Sequence, residues 1–309
     1  MPFILKKLHS PTKQRAFKFL VNELGYTQRE SQRLIANGRL FINGEAMVKP
    51  TAEVEGNFEF IQYEPSTRNL TPHAVYERFV LFDKPSGVLI HPQNRDTQYS
   101  LVDELKYQFG LEANIAHRID QETSGLVLCA RDKQSERDIK AMFEFRKMKK
   151  KYLALVHGEF KKELIIEEPL LRKEDENAIV RMVVKVHEDG KASKTTVRAI
   201  KYYPHKNMTL VECIPFTGRQ HQIRVHLFHV KHPIVGDPIY GQEDSNVIKF
   251  LDKEITKEER KNNSGATRLL LHASELEFEL YDENYIFQSK NRFLKVIEQI
   301  ISHETLSCE

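Results

Sequence analysis

Apolar positions near the start of the chain recur with helical spacing: Ala16, Phe17, Phe19, Leu20, Val21 and Leu24, with Gly25 as a stop. Thr27 with Glu30 forms a capping-box pattern that opens a second helix over Gln28 to Asn37, which Gly38 closes. The spacing then shortens. Arg39 to Glu45 reads as a strand running into an Asn-Gly hairpin, and Phe58 to Tyr63 as a further strand. These elements predict a small α+β domain over residues 12–63, followed by a polar, proline-bearing linker over 64–74.

The remainder, residues 75–303, predicts a larger domain of mixed strands and helices. Arg78 to Pro92 reads as a strand, a Pro-Ser-Gly turn and a second short strand. Ser100 to Gly110 reads as a short helix, and Leu126 to Ala130 as a buried strand entered through Thr-Ser-Gly. Asp132 caps a helix to about Phe145, and a cationic run follows: Arg146, Lys147, Lys149, Lys150 and Lys151. Tyr152 to Gly158 is a strand, and residues 164–215 alternate as strands do. A polar, charged insertion from Gln242 to Thr267 predicts a surface loop or mobile helix, and Arg292 to Ile301 an amphipathic helix. The class is α+β.

The composition narrows the setting. The chain has 309 residues and a net charge of +3, which permits a polyanionic partner without requiring one. Cys129 and Cys213 sit in apolar strand-like runs and Cys308 near the end, so they read as reduced thiols rather than a disulfide frame or zinc site. Met-Pro-Phe-Ile-Leu-Lys-Lys is too short in apolar residues for a signal peptide, and no run approaches a membrane span. A cytoplasmic protein is expected.

The densest chemistry is His117-Arg118-Ile119-Asp120, just before the turn into the core strand. In an extended segment Arg118 and Asp120 point the same way, which sets a cation beside a carboxylate. On the residues alone an ordinary surface ion pair is the more common outcome. A second concentration is Thr217-Gly218-Arg219-Gln220-His221-Gln222-Ile223-Arg224-Val225-His226, whose periodicity fits either a helix or a strand.

His-Arg-Ile-Asp-x-x-Thr-Ser-Gly-Leu resembles the signature of the RluA-type RNA pseudouridine synthases. Lys84-Pro85-x-Gly87 with His91-Pro92, Lys150-Lys151-Tyr152-Leu153 and the Thr217–His226 run are similar to further motifs of that family, in family order. Pro233 to Gly241 and Leu271-His272-Ala273 extend the likeness. The resemblance implies a long, bent, mainly antiparallel sheet with flanking helices, a helix after Thr217-Gly218, and no cofactor or metal. It implies Asp120 as the catalytic nucleophile and Arg219 as the cation paired with it. It also implies Arg118 filling the space of an everted uridine, Tyr152 stacking on the base, and Ile223 as an apolar wall beneath the ring. The N-terminal elements resemble an alpha-L RNA-binding domain, with Lys13, Arg15, Lys18, Arg29, Arg33 and Arg39 on its RNA face, although that domain's usual Arg-Leu-Asp opening is replaced by Gln14-Arg15-Ala16. The expected partner is RNA, ribosomal or transfer, with the lysine run as a phosphate track.

Three other functions compete for these residues. A protein kinase lacks support, since the acid comes one residue late and no Gly-rich loop or Asp-Phe-Gly is present. A metallohydrolase built on His221, His226, His229 and His232 lacks the His-Glu-x-x-His spacing. A non-catalytic RNA-binding or ribosome-assembly factor remains the alternative, and a turnover assay separates it.

Overall fold

The computed structural model describes residues 2–161, 163–174, 182–290 and 292–302. The chain forms two compact units, one of residues 1–68 with 91–107 and the other of 69–90 with 108–309.

In the first unit, helices Ala16–Leu24 and Gln28–Ala36 pack on a four-stranded antiparallel sheet. Thr27 and Glu30 make the capping box, and Gly25 ends the first helix in the left-handed region. Asn43 and Gly44, both at positive φ, turn the hairpin between Leu40–Ile42 and Glu45–Met47. Ala16, Leu20, Ile35, Leu40, Val54 and Phe60 fill the core. One strand has no signature in the pattern. Phe3–Arg15 runs antiparallel to Glu53–Tyr63 although most of its side chains face solvent. Its backbone bonds to the neighbouring strand supply what its sparse apolar residues do not.

The second unit is built on a ten-stranded sheet. Its main path runs Leu164–Ile166, Thr195–Tyr203, Met208–Pro215, Met148–His157, Leu271–Leu280, Ser124–Ala130, Phe79–Lys84 and Ala74–Val75. All neighbours on that path are antiparallel except Leu271–Leu280 against Ser124–Ala130. The Ser124–Ala130 strand is buried at every residue, as its continuous apolar run predicts. Helix Lys133–Glu144 is capped by Asp132 and packs Ile139 and Met142 on this layer.

Gly125 explains the Thr-Ser-Gly signal. Its φ is +112°, and a Cβ there would lie 2.3 Å from the carbonyl oxygen of Ala273 on the parallel neighbour. Gly125→Ala is expected to cost more than about 2 kcal/mol, since the strand pair must part and the backbone must leave its conformation. A thermal melt checks this, and an unchanged midpoint would contradict it.

One expectation is corrected and two are made more specific. No second strand follows the Pro85-Ser86-Gly87 turn, because the carbonyls of Pro85 and Val88 turn inward onto the buried Lys84 ammonium instead. Of the two expectations for the insertion, loop or helix, the structure shows helix. The insertion forms helices Asp244–Leu251 and Lys257–Ser264, the second opened by a Thr256–Glu259 capping box, and Val247, Arg260 and Ser264 are buried. The lysine run belongs to the strand Met148–His157, where Lys149 and Lys151 pair with Glu277 and Glu275 of the neighbouring strand. Arg146 and Lys147 stay exposed. Cys129 and Cys213 are buried thiols pushed up in pKa by burial, while Cys308 lies outside the described residues.

Candidate active site

Asp120 ends the segment that leads into the core strand, and the structure pins that segment from both sides. His117 accepts a 2.8 Å hydrogen bond at Nε2 from the backbone N–H of Leu128 and stacks on Phe143 at 4.5 Å. Accepting through Nε2 requires the neutral ring, and burial pushes His117 down to about 3. On the other side, buried Lys84 donates to the carbonyls of Pro85, Val88 and Gln121 at 2.8–2.9 Å. Burial pushes Lys84 down to about 7 against the opposing pull of Glu122 and Asp120.

Asp120 keeps 25% of its side chain open and meets Arg224, whose Nη1 lies 3.4 Å from Oδ2. This corrects the expected pairing with Arg219. The element after Thr217-Gly218 is a helix, Gln222–His229, and Arg219 lies before it on an exposed turn. There its Nε donates to the carbonyl of Ala192 at 3.3 Å. Gln222 holds the turn in place: its Oε1 accepts from Thr217 Oγ1 and Arg219 N, and its Nε2 donates to the Lys194 carbonyl. Arg224, one turn further, is on the buried part of the helix and is 3% exposed. The expected local pair between Arg118 and Asp120 is also not formed. Arg118 is exposed, and none of the ion pairs among the described residues joins it to Asp120.

Arg224 is held from behind by Asp237, a residue sequence reasoning passed over. Asp237 is fully buried, and its two oxygens accept from Arg224 Nε at 2.7 Å and Nη2 at 2.8 Å. Oδ1 also accepts from the backbone N–H groups of Ile239 and Tyr240. This two-pronged contact fixes the guanidinium plane and leaves Nη1 for Asp120. Burial opposes the charge on Arg224, but Asp237, Asp120 and Tyr240 together outweigh it, so the net shift is upward and the group stays a cation. A signal for the pair was present: a lone arginine in Ile-Arg-Val-His-Leu needs a buried acid, and Gly236-Asp237-Pro238 supplies one.

His221 starts the helix at φ +54°, with Nδ1 2.9 Å from the Tyr240 hydroxyl and Nε2 3.9 Å from Asp120 Oδ1. Burial and Arg224 push His221 down to about 4, so at neutral pH Arg224 is the cation facing Asp120. His226 bonds Thr195 Oγ1 and the Glu168 carbonyl, and His232 the His157 carbonyl, which gives these histidines structural partners. Tyr152 is 9% exposed, and burial raises its phenol pKa, with Asp120 adding to the effect. Its strand registers Tyr152 with Ala273, which pairs in turn with Gly125. Ile223 is buried on the helix that carries Arg224.

The neutral histidines set a pH dependence. His117, His221 and His272 are held at about 3, 4 and 4, each by burial first, below the usual value near 6.5. In that window the unfolded chain binds protons that the native protein refuses, so stability falls as pH drops from about 6.5 towards 4. Denaturant melts at pH 7, 5.5 and 4.5 are expected to show the decline, steepest once below pH 6.5; a flat series would contradict it.

Comparison with known proteins fits this geometry. The model of the RNA pseudouridylate synthase family matches residues 78–229, which hold Asp120, Tyr152 and Arg224. A Helicobacter pylori protein named as an uncharacterized RNA pseudouridine synthase is 36% identical over 304 residues, covering 97% of this chain and 99% of that protein. A ribosomal large subunit pseudouridine synthase C from Buchnera aphidicola is 30% identical, over 89% of this chain and 84% of the relative. The solved structure of human RNA pseudouridylate synthase domain containing 1 aligns with a TM-score of 0.60 at 26% identity, covering 77% of this chain and 90% of that one. Fold, motif order and relatives together define an isomerase that modifies RNA. The chain belongs to the RNA pseudouridine synthases, within their RluA-type branch.

Proposed function

We propose that Asp120 is the nucleophile with which this enzyme isomerises uridine, and that its substrate is large-subunit ribosomal RNA. The observation that carries the reading is the pair of Asp120 with an arginine clamped from behind by Asp237. In the reaction the bond from ribose C1′ to ring N1 breaks, the base turns, and C1′ joins C5. C5 loses a proton and N1 gains one. Substrate and product are isomers, so neither an oxidant nor a group donor is required and no cofactor enters the scheme.

The target base must leave its stack, at a cost of a few kcal/mol, before Asp120 can reach it. Arg118, exposed two residues before Asp120, takes the vacated space or the RNA backbone. Tyr152 offers the face of its ring for stacking, and its raised pKa keeps the phenol protonated. Ile223 is the apolar wall beneath the base. Arg219, exposed on the turn before the helix, contacts RNA rather than the nucleophile.

The N-terminal unit acts as an alpha-L RNA-binding domain. Lys18, Arg29 and Arg33 are exposed and form its phosphate contacts, whereas Lys13 and Arg15 face Glu53 and Arg39 is half-buried over the Phe3 ring. Replacing Lys18, Arg29 and Arg33 together by alanine is expected to lower the slope of log affinity against log salt by about 2–3. An unchanged slope would remove this role. No helix among the described residues is long and apolar enough to cross a membrane, and the cytoplasm suits both a ribosomal substrate and the two buried thiols. The substrate is tested by mapping pseudouridine in cellular RNA with and without this gene. Loss of sites in large-subunit ribosomal RNA is expected; loss confined to transfer RNA would replace the substrate and keep the chemistry.

A further inference from the structure

The insertion after Gly241 reaches the active site from behind through one side chain. Arg260, on the helix Lys257–Ser264, is buried, and its Nη2 donates to two groups. One is Glu122 Oε2 at 2.7 Å, two residues after Asp120. The other is the carbonyl of Gly236 at 2.8 Å, the residue before Asp237. A single guanidinium therefore ties the turn that carries Asp120 to the turn that carries the clamp of Arg224.

Neighbouring contacts make this a built junction. Gly236 N donates to the Ser264 carbonyl at 2.7 Å, and Ser264 Oγ donates to the Arg260 carbonyl at 2.7 Å. A Cβ on Gly236 would lie 1.8 Å from the Arg268 carbonyl, so its backbone is pressed directly against the end of the insertion. Arg268 itself reaches Ser124 Oγ at 3.3 Å, and Phe250 of the first insertion helix lies under the Arg260 guanidinium at 5.3 Å.

The arrangement is poorly suited to stability alone. Arg260 is desolvated, and its buried Nε has no hydrogen-bond partner among the described residues. Apolar side chains in place of both Arg260 and Glu122 avoid these costs, and exchanging a whole buried ion pair for apolar groups is often neutral or stabilising. What an apolar chain cannot do is hold two turns in register.

We propose that Arg260 is a positioning residue: by bridging Glu122 to Gly236 it sets the approach of Asp120 to Arg224. This rests on Asp120 being the nucleophile. The distance between reacting groups enters the rate steeply, so a small drift of either turn lowers the chemical step and leaves RNA binding alone.

The test uses the full-length protein and large-subunit ribosomal RNA from cells lacking it. Single-turnover rate at saturating enzyme, RNA affinity by filter retention and melting temperature are measured for Arg260→Met, Glu122→Gln, the double variant and Asp120→Asn. Each single variant is expected to slow the chemical step by about 10- to 100-fold, with affinity within about twofold of wild type. The melting temperature of Arg260→Met falls, because Glu122 is left without its cation, and that of the double variant recovers toward wild type, while the double variant is no slower than the slower single one. A wild-type rate in Arg260→Met, losses that multiply in the double variant, or a rate that recovers together with the melting temperature in the double variant would each overturn the proposal. If Arg260→Met does not fold, Glu122→Gln carries the same test with a near-isosteric change. Turnover by Asp120→Asn would instead overturn the nucleophile, whatever Arg260 does.

Discussion

Asp120→Asn is expected to bind RNA as the wild-type protein does and to form no pseudouridine. The change keeps the shape of the side chain and removes its charge and nucleophilic oxygen. The surrounding contacts survive, because His117 and Lys84 hold the segment through backbone groups of Leu128 and Gln121 rather than through the Asp120 carboxylate. Losing a nucleophile costs at least about 10⁴-fold in turnover in well-studied cases, far more than any positioning effect here. Base-specific chemical mapping of pseudouridine reads the product and a retention assay the binding. Appreciable turnover would require another residue to attack, and the reading of Asp120 would fall.

The second large effect concerns which arginine matters. Arg224→Met is expected to abolish turnover and to cost about 3–5 kcal/mol of stability, because it leaves the fully buried Asp237 without its cation. Arg219→Ala is expected to hold the chemical step within a few-fold of wild type at saturating RNA and to weaken RNA affinity instead. Its guanidinium is exposed and its bond is to the Ala192 carbonyl, so its removal strands no buried charge. Melts and single-turnover rates on the two variants separate these outcomes. A large loss of the chemical step in Arg219→Ala with normal kinetics in Arg224→Met would restore the pairing that the sequence motif suggests.

Both arginines lie in one motif five residues apart, and nothing local distinguishes them. The apparent rule, that the residue after a Thr-Gly turn faces the site, is overridden by Gln222. That side chain ties the turn to the Lys194 carbonyl and leaves Arg219 outside the start of the helix. Conversely, Arg118 and Asp120 are two apart, but the segment between them is not part of a strand, so the alternation that would bring them together does not apply. The lysine run also reads differently once folded, because the Glu275 and Glu277 partners of Lys151 and Lys149 come from a strand more than a hundred residues away.

Sequence alone determined the class of fold, the helices opened by Thr27 and Asp132, the Asn-Gly hairpin, the buried Ser124–Ala130 strand, and Asp120 as the residue to watch. Those follow from periodicity, caps and turns, which act over a few residues, and from motifs long enough to carry a family likeness. Only the tertiary structure decided that Arg224 faces Asp120, that Asp237 aims it, that Phe3–Arg15 joins a sheet, and that a charged insertion sends Arg260 to bridge both turns. The reason is physical: a guanidinium or carboxylate takes its role from what desolvates and pairs it, and here those partners lie between 13 and 138 residues away along the chain.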